Sequence, residues 1–205
     1  MEVVKPDTLE WGVSSRIHPG ETQSGDAYVV NTLDGGGFVA VIDALGHGNA
    51  AAHAAQVAVR TLQGHGTEAL ASLLQKCHAR LRTTRGAAIS MAYFDRDRQT
   101  MTWLGVGNVV GVLVYADPKG VRRVKPLLVR SGVIGDRLPD LSPLSLEIRS
   151  GDTLLLATDG IREDFTETLP NSLDPQPLAD RILDAYATRD DDALVVVVRY
   201  KRDFA

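Results

Sequence analysis

The sequence is poor in the features that mark several common classes of protein. It has one cysteine, Cys77, so an internal disulfide is excluded and no cysteine-based zinc cluster can form. Aromatic residues make up only 5% of the chain, there is no basic tract, and the formal net charge is −4. Base-stacking platforms and an electropositive footprint are both missing, and no nucleic-acid partner is expected. No apolar run reaches the ~20 residues that cross a bilayer, so no membrane partner is expected either. No signal peptide opens the chain, and a cytoplasmic protein is the expectation. Repeats and linkers are also lacking. With 205 residues, 44% of them apolar and 23% charged, the chain reads as one domain spanning 1–205 with a substantial core.

What the chain does have is aspartate at the ends of apolar runs. Phe38-Val39-Ala40-Val41-Ile42 leads into Asp43, and Ala44-Leu45-Gly46-His47-Gly48 follows. Leu154-Leu155-Leu156-Ala157 leads likewise into Thr158-Asp159-Gly160. Such runs favour buried strands. A carboxylate that ends one must emerge into a polar site or bind a cation, because an unpaired buried charge is costly. Asp26 precedes a strand at 27–33, and Asp190-Asp191-Asp192 precedes another at 193–200. In antiparallel pairs the start of one strand lies beside the end of its neighbour. All four acidic points can therefore gather at one sheet edge.

The turn signal Asp34-Gly35-Gly36-Gly37 joins the strand at 27–33 to the run ending at Asp43. With Asp34-Gly35 as the central pair, Asp26 falls opposite Asp43; with Gly35-Gly36 central, it falls opposite Leu45. Further strands are predicted at 9–17, 87–94, 100–106, 109–116, 121–129, 144–149 and 153–158, with a turn at Asp117-Pro118-Lys119-Gly120. Helices are predicted at about 50–63, capped by Asn49, at about 67–82, and at about 177–188. Gly64-His65-Gly66 separates the first two, and Leu70, Leu73, Leu74, Cys77 and Leu81 form the apolar stripe of the second. Residues 160–176 read as irregular. This pattern suggests an α+β protein with two packed antiparallel sheets flanked by helices.

Oxygen ligands without paired cysteine or histidine favour a hard cation, Mg²⁺ or Mn²⁺. Two such ions ~3.5–4 Å apart can share a carboxylate and acidify a bridging water for in-line attack on phosphorus. Aspartates beside turns also commonly do no more than cap them, and spacing alone leaves both readings open.

Gly25-Asp26, Ile42-Asp43-Ala44-Leu45-Gly46-His47-Gly48, the run Gly151-Asp152-Thr153-Leu154-Leu155-Leu156-Ala157-Thr158-Asp159-Gly160-Ile161, and Asp191-Asp192-Ala193-Leu194-Val195-Val196 occur in this order. The ordered set resembles the motifs of the metal-dependent protein phosphatases of type 2C, and is most similar to their SpoIIE-like branch. Leu104-Gly105-Val106-Gly107-Asn108-Val109 and Ser131-Gly132-Val133-Ile134-Gly135 further resemble the RsbX-type stressosome phosphatases. The resemblance covers nearly the whole chain. It implies an α-β-β-α sandwich, with two Mn²⁺ or Mg²⁺ ions in the cleft between the sheets. Asp43 would bridge both ions and the Ala44 carbonyl would bind one. Asp159 and Asp191 would complete the second, with Asp190 and Asp192 as alternatives to Asp191. Asp26 would act directly or through a water.

The activity implied is that of a serine/threonine phosphoprotein phosphatase. Its implied partners are phosphorylated STAS-domain proteins, the stressosome scaffold and co-antagonist, so that it resets a stress signal through a metal-bound hydroxide. His47 would protonate the leaving oxygen or pack beside the site. His18, His53, His65 and His78 lack ligand spacing and read as structural. Gly107-Asn108 reads as a turn lining the cleft. Three departures from the pattern stand out: Ala44 in place of the usual glycine, Leu194 in place of a Ser or Thr hydroxyl, and no counterpart of the phosphate-binding arginine of the eukaryotic relatives. The missing arginine implies weak phosphate affinity and reliance on protein docking. Ala44 and Leu194 motivate one alternative, a catalytically weak binding module, and a metal-dependent hydrolase of small phosphate esters is another.

Overall fold

The computed structural model describes residues 8–33, 35–63, 69–116, 123–167, 169 and 174–201. Two five-stranded antiparallel sheets face each other. The first has the order β1 (Leu9–Arg16), β10 (Ala193–Tyr200), β9 (Thr153–Ala157), β6 (Val110–Tyr115), β7 (Arg123–Leu127). The second has the order β2 (Asp26–Leu33), β3 (Gly36–Ala44), β4 (Ala87–Asp95), β5 (Thr100–Val106), β8 (Leu144–Glu147). Helices α1 (Gly48–Leu62) and α2 (Leu70–Leu81) cover the outer face of the second sheet, and α3 (Pro175–Tyr186) covers the first. This is the expected α-β-β-α sandwich. No helix among the described residues is long and apolar enough to cross a membrane.

The continuous apolar runs follow from burial on both faces, because successive side chains of a strand point to opposite sides. On β3, Phe38, Ala40, Ile42 and Ala44 meet the α1–α2 layer, while Val39 and Val41 point between the sheets. On β10, Leu194, Val196, Val198 and Tyr200 fill the space between the sheets, while Ala193, Val195 and Val197 meet α3. The predicted stripe on α2 is buried in full.

The hairpin register is one of the two predicted. Leu33 pairs with Gly36 and Asp26 pairs with Asp43. Asp34 itself lies outside the described residues, as do Gly64-His65-Gly66 and the Asp117–Gly120 turn. Several boundaries move by a few residues. β1 ends at Arg16 and β8 at Glu147, α3 starts at Pro175, and a 3₁₀ turn at Glu163–Glu167 sits in the stretch read as irregular.

Asn49 is not the cap of α1. The helix begins at Gly48, with His47 in the extended preceding position and no side-chain cap bond. The cause is the exit from β3, where Gly46 (φ +78) and Gly48 (φ +74) take left-handed conformations and turn the chain into the helix earlier.

Ile42 is fully buried where β3 meets the helix layer. Ile42→Ala is expected to lower unfolding free energy by about 2–5 kcal/mol, and Ile42→Val by about 1 kcal/mol. Urea denaturation checks this; equal midpoints for both variants would show that the helices do not grip this strand.

Candidate functional site

Each sheet brings two acidic positions to the same edge. In the second sheet Asp26 opens β2 and stands directly across the ladder from Asp43 near the end of β3. In the first sheet Asp159 follows β9, and Asp191 and Asp192 precede β10, the neighbouring strand. The predicted acidic positions thus lie along one edge, although like charges directly opposite on a ladder repel.

Their titration records that crowding. Burial, and next the charge of Asp43, push the Asp26 carboxyl from 3.8 up to about 8, against an opposing hydrogen bond from Thr158. Burial, then the charges of Asp159 and Asp191, push Asp43 from 3.8 up to about 7, with the Asn108 side chain opposing. Asp159 stands at the open rim, where partial enclosure and then Asp191 still raise its carboxyl. The Asp43 Oδ2 atom is shut off from solvent and has no hydrogen-bond partner.

The triple aspartate divides its labour. Asp190 is exposed. Asp192 is buried, and its carboxylate accepts the backbone N–H of His18 at 2.8 Å and of Gly25 at 2.7 Å. It therefore fastens both ends of the loop that leads into Asp26. Asp191 accepts the Asp192 N–H at 2.8 Å and adds its charge to Asp43 and Asp159.

Two further side chains hold the acids in place. The Thr158 hydroxyl donates to Asp26 Oδ2 at 2.7 Å and accepts the Leu194 N–H at 2.9 Å. The Asn108 amide donates to Asp159 Oδ2 at 2.6 Å and also favours the charged form of Asp43.

The departures are accommodated. Gln99 is the only non-glycine residue with positive φ among the described residues, so Ala44 carries no left-handed strain. The Ala44 N–H donates to the Gly25 carbonyl at 3.1 Å. A Cβ at Gly25 would lie 3.2 Å from the Ala44 carbonyl and 2.9 Å from Ala51, so the close approach there requires glycine. Leu194 packs in the inter-sheet core, and the hydroxyl beside the acids comes from Thr158 instead.

His47 is exposed; its Nδ1 lies 2.8 Å from Glu21 Oε1 and its ring stacks on His18 at 4.3 Å. His18, read as structural from spacing, thus lies at the site. Its Nδ1 is buried without a hydrogen-bond partner. His53 lies on α1 and His78 on α2, where His78 Nδ1 accepts the Gly135 N–H at 3.0 Å; His65 falls outside the described residues. Sequence reading missed Glu21, His18, Thr158 and Asp192 in these roles, and saw Asn108 only as part of a turn. Their partners lie 26 to 174 residues away except where a neighbouring amide is involved, and no local pattern announces them.

An all-oxygen donor set with an orphaned carboxylate oxygen suits a hard divalent cation. Among the described residues, no three acidic or histidine side chains converge tightly enough to enclose an ion on their own.

Comparison with known proteins identifies the fold and the family. The family described as Stage II sporulation protein E (SpoIIE) matches residues 34–201. Phosphoserine phosphatase RsbX of Bacillus subtilis (strain 168) is 24% identical over 142 residues, 69% of each chain. A chain from the bacterial stressosome, described as a modular system adapted to control secondary messenger signaling, is 32% identical. It superposes with TM-score 0.84 over 93% of this chain and 99% of its own. RsbX in complex with magnesium shares the fold at 19% identity and TM-score 0.84, covering 96% of this chain and 98% of its own. The PP2C phosphatase domain of SpoIIE from Bacillus subtilis shares it at 21% identity and TM-score 0.78, covering 96% of this chain and 64% of that one. With the family match spanning most of both sheets and the acidic edge in the expected register, the chain belongs to the SpoIIE family of PP2C-type phosphatases.

Proposed function

We propose that this chain is a Mn²⁺- or Mg²⁺-dependent phosphatase that removes phosphate from serine or threonine of STAS-domain signalling proteins. The observation that carries this reading is the pairing of Asp26 with Asp43 across one ladder, within electrostatic reach of Asp159 and Asp191, with Asp43 Oδ2 left unpartnered. The family, a relative named as a phosphoserine phosphatase and a stressosome chain at 32% identity support the substrate class. A relative seen in complex with magnesium supports the cation.

In this reading Asp43 and the Ala44 carbonyl, Asp159, Asp191 and Asp26 would hold two ions. When bound, such ions offset the crowded carboxylates, polarise a phosphoryl oxygen and acidify water. The chain's own groups do the positioning. Asp192 fixes the backbone on which Asp26 is mounted, Thr158 orients the Asp26 carboxyl, and Asn108 orients Asp159. Glu21 anchors His47 through Nδ1, which leaves Nε2 to give a proton to the departing seryl oxygen.

The raised carboxyl values give a stability signature. A folded-state value above the unfolded 3.8 means that the folded protein holds more protons than the unfolded chain. Without metal, stability contributed by Asp26 and Asp43 is full below 3.8 and is lost as pH rises towards about 8. Metal-free protein is therefore expected to melt lower at about pH 8 than at about pH 5. Mg²⁺ at ~100 times its Kd is expected to raise Tm by about 5–10 °C, and by more at the higher pH. Differential scanning fluorimetry reads both; a Mg²⁺ effect that is the same at both pH values counts against the carboxylates as its site.

Incubation with Mn²⁺ and phosphorylated STAS proteins, followed by mass spectrometry, tests the activity. Site-specific phosphate loss is expected, falling roughly 100-fold or more in Asp43→Asn and Asp159→Asn. Undiminished activity in both variants would refute the assigned centre.

A further inference from the structure

The sequence shows no counterpart of the phosphate-binding arginine of the eukaryotic relatives, but the fold seats an arginine against the turn that follows Asp43. Arg85 lies in the loop between α2 and β4, far from the acidic motifs in sequence. Its guanidinium rests on the turn between Ala44 and His47, where a Cβ at Gly46 would fall 2.6 Å from Arg85 Nη1. The seat exists because residue 46 is glycine, held at φ +78. Any side chain there would displace the guanidinium.

The backbone that carries Arg85 is fastened on both sides. The Thr84 hydroxyl donates to the Leu81 carbonyl at 2.7 Å and accepts the Gly86 N–H at 3.1 Å. The Leu45 N–H donates to the Gly86 carbonyl at 3.2 Å, and the β3–β4 register continues with Ala44 opposite Ala87 and Asp43 opposite Ala88. The loop is thus stitched directly to the strand that bears Asp43.

Arg85 is exposed and makes no hydrogen bond or ion pair with another described residue, although the chain carries net negative charge and gathers aspartates at this edge. The five N–H donors of a guanidinium form a planar fork that matches phosphate oxygens. An unengaged fork positioned by a glycine seat, one residue before His47, is placed for an anion brought in by a ligand.

We propose that Arg85 binds the phosphoryl oxygens of the phosphomonoester substrate, a specificity-determining contact supplied from the α2–β4 loop. The proposal rests on the phosphatase reading above for the identity of the ligand, but its test does not. Inorganic phosphate is titrated calorimetrically into the Mg²⁺-loaded protein, for wild type, Arg85→Gln, Arg85→Lys and the control Arg82→Gln, which removes an exposed charge three residues upstream.

Arg85→Gln is expected to weaken phosphate binding about tenfold or more, with Mg²⁺ affinity and Tm unchanged. Arg85→Lys, which keeps the charge and loses the fork, is expected to fall between the two. Arg82→Gln is expected to bind as wild type does. In turnover of a phosphoprotein, the Arg85→Gln loss is expected mainly in KM. Unchanged phosphate affinity in Arg85→Gln, an equal loss in Arg82→Gln, or no phosphate binding by wild type overturns the proposal. Phosphate binding that depends on Arg85 in a protein that hydrolyses no phosphoprotein upholds the anion contact and refutes the phosphatase reading instead.

Discussion

The repulsion between Asp26 and Asp43 is the constraint around which this edge of the molecule is built. Backbone pairing holds the two carboxyls across a ladder regardless of their charge, because the register is fixed by eight successive residue pairs and β3 is buried on both faces. The sheet therefore supplies rigidity that the acids themselves oppose. Every other device at the site serves to keep this arrangement in place: the amides captured by Asp192, the Thr158 hydroxyl between Asp26 and the Leu194 amide, and the Asn108 amide between Asp43 and Asp159. Destabilised sites of this kind are maintained by stability accumulated elsewhere, here in three apolar layers.

Much of this was legible in the sequence. Runs buried on both faces, such as 38–42 and 154–157, announce strands that lie in the interior of a layered fold, and the stripe on α2 reads directly as a helix face. The opposition of Asp26 and Asp43 follows from counting outward from the turn, with one alternative that the pairing of Leu33 with Gly36 eliminates. The cap of α1 was misread because Asn49 has the right chemistry, while the decisive features are two left-handed glycines that start the helix at Gly48. The roles of Asp191 and Asp192 were not separable, since both precede the same strand; only the positions of the His18 and Gly25 amides distinguish them. Glu21 and Arg85 belong to no local pattern, and Thr158, though part of a motif, acquires its role from Asp26, a residue brought near by the fold.

The two substitutions relative to the family pattern lose their significance as defects once the backbone is known. Ala44 ends β3 in a conformation open to any residue, and its side chain joins the core beneath α1. Leu194 likewise extends the inter-sheet core, while the hydroxyl that could have stood there is provided from the adjacent strand end by Thr158. A sequence pattern records which residue carries a group; a packed site needs only that the group arrive.

The placement of β10 has a consequence for folding. It is the last of the described strands, yet it lies second in its sheet, inserted between β1 and β9. Its leading residue Asp192 also ties down the loop that begins at His18. Segments separated by 174 positions must therefore meet before the acidic edge exists. The second sheet can pair without β10, but β1 has no other neighbour among the described strands. The acidic edge and the closure of the first sheet therefore depend on one long-range pairing, and neither is complete without the other.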